Sequence, residues 1–178
     1  MRLVWLGGLV LLFASVASLV SKGEGGRLLE DGWARAANVL PDVELGDLQR
    51  TTPAYTTRIF GVLPEPFRQK LAAKTWAAVE VMIFRSLLLW HLTPAYLMSF
   101  VVGSLEGSWA RASQKSLIKM HSPMHFSSAL TTLGLIPVLA VLWVAAPAVV
   151  SAALLVIVLG TITIFGTRNL IVHAPTQF

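Results

Sequence analysis

Two Met-His pairs, Met120-His121 and Met124-His125, stand four residues apart. A thioether beside an imidazole is ligand chemistry that suits copper. Pro123 interrupts the helix that would align the pairs, and the same residue types serve at a membrane boundary, so the expectation is no bound metal and no cofactor. Glu80, Arg85 and His91 are ionisable groups beside or within an apolar run, where such a group is a functional candidate by default. Glu80 and Arg85 differ by five positions, about 140° around a helix, and so do not pair on one face. Both can reach an interface, Arg85 by snorkelling at the edge of the lipid. His91 is expected to hydrogen-bond across helices or to Thr93. Arg111, Lys115 and Lys119 stack at i, i+4 and i+8, with Leu105, Trp109 and Ala112 on another face. Trp109, Arg111, Lys115 and Lys119 are therefore read as a partner- or lipid-binding set, each cation worth about 1 kcal/mol on anionic headgroups. Three cations without an aromatic stacking platform would hold nucleic acid weakly, so direct DNA contact is not expected.

Other chemistry is missing from the sequence. There is no Gly-x-x-x-x-Gly-Lys-[Ser/Thr] phosphate loop, no His-Glu-x-x-His and no Gly-x-Ser-x-Gly. The absence of cysteine removes disulfides, thiolate metal sites and cysteine nucleophiles together. Nothing supplies a nucleophile with its base, and the chain is expected not to be an enzyme.

The elements that must position these groups follow from composition. Of 178 residues, 55% are hydrophobic and 13% charged, about half the charge of an average soluble chain. Lipid is the implied solvent. Leu3 to Val20 carries no charge and is long enough to span. Its exit, Ala14-Ser15-Val16-Ala17-Ser18, also suits a signal peptidase, but the segment is read as an uncleaved anchor. Leu28, Leu29, Trp33, Ala36, Ala37 and Leu40 recur at helical spacing and predict an amphipathic helix over 27–40. Asp42 to Leu63, with Gly46, Pro53, Gly61 and a Thr-rich stretch, reads as irregular chain.

A long helix is expected to open at Pro66. Carried to Gly103 it would reach roughly 57 Å, nearly twice a hydrocarbon core, so only Ser86 to Gly103 belongs in lipid. Trp76, Trp90 and Tyr96 are candidate interface or packing aromatics. Ser127 to Gly166 is uncharged over 40 positions, enough for two spans, with the fold point at Ala145-Ala146-Pro147-Ala148. Ser122-Pro123 reads as N-cap and first residue of the third membrane helix, and Pro137 as a kink within it.

The expected architecture is all-α and polytopic, with four transmembrane helices. The segments are a membrane anchor (1–21), an exported, mostly helical segment (22–78), a second transmembrane helix (79–103), a basic amphipathic cytoplasmic loop (104–126), a transmembrane hairpin (127–166) and a short exposed tail (167–178). Arg2, Arg111, Lys115, Lys119 and Arg168 would share a side with Glu106 as the sole acid, whereas 22–74 holds eight basic and seven acidic residues. The positive-inside rule then puts both termini and the basic loop in the cytoplasm. Gly103, Ser104, Gly107, Gly160 and Gly166 are expected to let partner spans approach closely.

The run Glu106-Gly107-Ser108-Trp109-Ala110-Arg111 after an apolar span, then a basic stretch, Ser122-Pro123 with His125 two residues on, and a closing apolar hairpin resembles one known family. This is the integrating-conjugative-element membrane proteins, which carry a domain of unknown function and are encoded beside the type IV coupling ATPase. The resemblance covers nearly the whole chain. It carries Gly107, Arg111, Ser122 and Pro123 as motif residues without catalytic meaning. It implies a component of a conjugative DNA-transfer (type IV secretion) apparatus in a bacterial inner membrane, and the lack of reactive groups makes that component a non-enzymatic structural or scaffolding subunit. The partners would be the coupling ATPase or other channel subunits and anionic lipid, in a hetero-oligomer or a homo-oligomer. The residues leave two alternatives: a small transporter or copper-handling protein using the Met-His repeat, and a membrane protein of the exclusion type.

Overall fold

The computed structural model describes residues 16–18, 25–62, 64–114, 122–146 and 150–174. Among them are a helical piece at 16–18, six longer helices and no strand. The helices are α1 (Gly25–Ala36), α2 (Asp42–Gly61), α3 (Glu65–His91), α4 (Thr93–Gln114), α5 (Pro123–Ala145) and α6 (Ala152–Val172). Most of the expected first span, and Lys115, Lys119, Met120 and His121, lie outside the described residues. Among the described residues two helices, α5 and α6, are long and apolar enough to cross a membrane. Thr75–His91 with Thr93–Ser113 qualifies as a third span only as a broken pair, so the described residues hold two or three candidate spans, not clearly the four expected, the first of which lies largely outside them.

The chain divides into two compact units: Arg2–His91 with Ala140–Ala153, and Leu92–Leu139 with Leu154–Phe178. In the first, α1 and α2 both pack on α3. Helix α1 is shorter than expected, ending at Ala36 and continuing to Leu40 through turn hydrogen bonds. It presents Gly25, Leu28 and Gly32 to α3. A Cβ on Gly25 would lie 2.8 Å from Ala77, and one on Gly32 would lie 2.8 Å from the Phe84 ring. Leu28 joins Ala78 and Val81 in a buried cluster, and Trp33 meets Phe84 with ring centroids 4.2 Å apart.

The segment expected to be irregular is instead the 20-residue helix α2. Leu48, Thr52, Thr56 and Phe60 recur every four residues and form its buried stripe. The two buried threonines satisfy their hydroxyls on their own helix, Thr52 on the Leu48 carbonyl at 2.8 Å and Thr56 on that of Thr52 at 2.9 Å. Pro53 sits on the exposed face. Stacking of Phe60 on Trp76, centroids 4.8 Å apart, ties the end of α2 to α3. Thr-rich composition and one proline argue against a helix when read locally, but tertiary burial of a four-residue stripe overrides that weak propensity.

The expected continuous helix to Gly103 is interrupted. Helix α3 opens at Glu65 and ends at His91, and α4 starts at Thr93. Pro94 is the cause, because it has no N–H to donate and its ring clashes with the carbonyl four residues back. Leu92 O then accepts from Ala95 and Tyr96, starting the new helix. Helix α4 runs on to Gln114, so the first half of the expected loop is helical. The hairpin follows expectation in outline: α5 opens at Pro123 after Ser122, Pro137 lies inside it, and the break falls after Ala145. Helix α6 extends to Val172, however, and Thr167, expected in an exposed tail, is buried.

Candidate functional site at two arginine-capped helix ends

Arg85 lies on the face of α3 that also buries Ala78, Val81 and Leu88, and is only 5% exposed. It does not snorkel. Its Nη1 donates to the carbonyls of Trp143 (3.0 Å), Val144 (3.4 Å) and Ala146 (2.5 Å). These belong to the last turn of α5 and the residue after it, where carbonyls have no partner within the helix and the macrodipole is negative. The guanidinium carbon also sits 5.5 Å from the centre of the Trp143 ring. Trp143 Nε1 in turn donates to Val150 O at 3.3 Å, closing the chain back on itself. One cation therefore satisfies several orphan acceptors at an apolar helix end, a role that the planar, multi-donor guanidinium suits better than an ammonium.

The second unit repeats the device. Arg111 of α4 donates from Nη1 to Ile171 O (3.1 Å) and from Nη2 to Ala174 O (3.4 Å), at the C-terminal end of α6. Below it, Ser99, Gly103 and Gly107 follow at four-residue intervals along α4 and face α6. A Cβ on Gly103 would lie 2.7 Å from Ile164 O, one on Gly107 would lie 3.0 Å from Arg168 O, and one on Gly160 would lie 3.0 Å from Ser99 Oγ. Gly166 faces Leu133 of α5 in the same way, at 2.8 Å. Small residues let backbones approach where lipid supplies no hydrophobic drive, so packing itself holds the helices together. Four of the small residues expected to receive partner spans thus receive this chain's own side chains and backbone; Ser104 bonds its own helix at Phe100 O. Glu106 and Arg168, half-exposed, add an ion pair at 3.0 Å across the seam.

The remaining expected site residues are dispersed. Trp109 is 77% exposed on the outer face of α4, in a row with Met98, Val102 and Leu105. His91 Nδ1 lies 2.9 Å from the Leu87 carbonyl of its own helix, where a cross-helix bond or a bond to Thr93 was expected. Trp90 is exposed. Glu80 is half-buried on α3 and Met124 exposed on α5. Ser122 O accepts from Phe126 N at the start of α5, directly before Pro123. His125 does find an aromatic partner, His173 of α6, with centroids 5.0 Å apart. That pairing was not anticipated, because it joins positions 48 apart in sequence. The four-residue rhythm of Ser99, Gly103, Gly107 and Arg111 was open to inspection and marks the seam.

A family profile described as IncC plasmid conjugative DNA transfer protein DtrJ-like matches residues 50–174. This chain belongs to the DtrJ-like family. Its conjugative context agrees with the family resemblance read from the Glu106–Arg111 run and the closing hairpin. No curated protein and no solved structure matches the chain. In this DtrJ-like protein the matched region begins inside α2 and ends two residues beyond α6, so it contains both capping arginines and the whole seam. Helix α1 stands outside it.

Proposed function

We propose that the chain is a non-enzymatic, multi-pass inner-membrane scaffold of a plasmid-type or integrating-element conjugative DNA-transfer (type IV secretion) apparatus, bound to the coupling ATPase. Family membership supports the transfer context. The single observation that carries the scaffold reading is the division of labour on α4: its inner face is filled by this chain's own α6, while Met98, Val102, Leu105 and Trp109 stay exposed. Such a row, in a membrane, suits lipid or the span of another protein. Arg85 and Arg111, each at a helix end within its own unit, and the Glu106–Arg168 pair hold helices in place. An apolar groove lined by Tyr55, Ile59, Met82, Ile83, Leu87 and Val144 offers contact area rather than reactive groups. Both termini are assigned to the cytoplasm on the charge asymmetry, and direct contact with DNA is not part of the reading.

The test is co-purification in mild detergent. The wild-type chain should retain the coupling ATPase, and Leu105→Ala/Trp109→Ala should release it while keeping its own helical content and elution volume. Recovery of the wild-type chain alone, under conditions that preserve other complexes of that ATPase, would refute the proposal.

A further inference from the structure

Val79, Ile83 and Leu87 follow one another at four-residue spacing, so they share a face of α3, turned away from the buried Val81 and Leu88. Together with Tyr55 and Ile59, one turn apart on α2, and Val144 of α5, they wall an open groove of about 360 Å3. No lining residue carries a charge. The hydroxyl of Ser86, on the same wall, donates to the Met82 carbonyl of its own helix at 2.8 Å. Left to water such a wall is unfavourable, and covering it with apolar material is favourable. Location says which material meets it. Val144 is the penultimate residue of α5, a helix long and apolar enough to cross a membrane, so with α5 in the bilayer this part of the groove lies where the hydrocarbon ends. The volume says what shape fits. One turn of a helix 10 Å across fills roughly 420 Å3, more than the whole groove, whereas a flexible hydrocarbon chain can follow it.

The rim supplies the charge that a bare hydrocarbon would not need. Tyr55 and Arg58 are both exposed. At 100° per residue Arg58 lies about 60° from Tyr55, on the side away from the buried stripe of Thr52, Thr56 and Phe60. A guanidinium and a phenol at the edge of an apolar groove match a phosphate headgroup above its tail. We propose that the groove binds an acyl chain of an anionic phospholipid, with the phosphate beside Arg58 and Tyr55 and the tail running toward Val144. This adds a lipid ligand to the scaffold reading, at a place separate from the Trp109 row.

The experiment is native mass spectrometry of the full chain in mild detergent, titrated with phosphatidylglycerol or with phosphatidylcholine of the same acyl composition. The wild-type protein should retain one phosphatidylglycerol, at least fivefold more tightly than phosphatidylcholine. Ser86→Trp and Ile83→Trp, each filling the groove, should weaken phosphatidylglycerol binding at least fivefold. Arg58→Gln should bring phosphatidylglycerol down to the level of phosphatidylcholine and leave the latter unchanged. Trp109→Ala should alter neither lipid. Circular dichroism and elution volume, unaltered in all four variants, separate a filled groove from a lost fold. Absence of a lipid adduct, equal affinity for the two lipids in the wild type, undiminished binding by either groove variant, or a headgroup preference that survives Arg58→Gln would each overturn the site. So would a polypeptide that co-purifies in place of lipid and is released by Ser86→Trp. The titration contains no ATPase, so the scaffold reading stands or falls separately.

Discussion

Arg85 shows how a charge beside an apolar run is tolerated. Its position on the buried face of α3 would be costly if the guanidinium were unpaired, but the end of α5 presents a set of carbonyls that need donors as much as the cation needs acceptors. Hydrogen bonds involving a charged group contribute about 1.5–3 kcal/mol each when buried. Replacing Arg85 by Met should lower stability by about 3 kcal/mol, read as a drop in the thermal midpoint in detergent. Arg85→Lys should recover only part of the loss, because an ammonium lacks the planar fork. Equal midpoints for wild type and Arg85→Met would remove the capping role. Thr167 makes the opposite case: it is 1% exposed and its hydroxyl has no hydrogen-bond partner. Thr167→Val deletes an unsatisfied buried group and should leave the midpoint unchanged or raise it.

Among the elements, the glycines of α4 to α6 differ by what stands over them. At Gly103 a Cβ would be 2.7 Å from a backbone oxygen of α6, and backbone cannot swing aside as a side chain can. Gly134 has nothing within 4 Å. Gly103→Ala should therefore destabilise by separating α4 from α6. Gly134→Ala should be neutral or stabilise by up to about 1 kcal/mol, the helix-propensity difference between the two residues. Chemical or thermal unfolding of the pair checks both signs, and identical behaviour would mean that the seam is not formed. Helix α2 teaches a related lesson. Its proline and threonines read as loop because local propensity was the signal available, whereas the stripe of Leu48, Thr52, Thr56 and Phe60 becomes decisive only once α3 lies beside it.

For the molecule as a whole, the absence of native cysteine makes engineered thiols the only ones present. Ser99 Cβ stands 3.9 Å from where a Cβ on Gly160 would be, within the usual disulfide range of about 3.5–4.5 Å. Ser99→Cys/Gly160→Cys should oxidise within one chain and shift its mobility on a non-reducing gel. Failure to close would place α4 elsewhere. Orientation is tested in the same cysteine-free background: Arg58→Cys, on the exposed face of α2, should react with a membrane-impermeant maleimide added to intact spheroplasts. Protection there, with reaction only after lysis, would reverse the assignment of both termini to the cytoplasm.

An all-helical chain closing on an apolar hairpin long enough to span a membrane, and its conjugative family, were legible without coordinates. Hydrophobic run length and charge scarcity are local properties that any fold of these residues must respect. The partners of the charges were not legible. Whether Arg85 reaches lipid headgroups or the end of α5, whether Gly103 receives a foreign helix or α6, and whether His125 meets His173 are contacts between distant positions. Only the tertiary structure decided them, because linear spacing specifies which face of a helix a residue occupies but not what packs against that face.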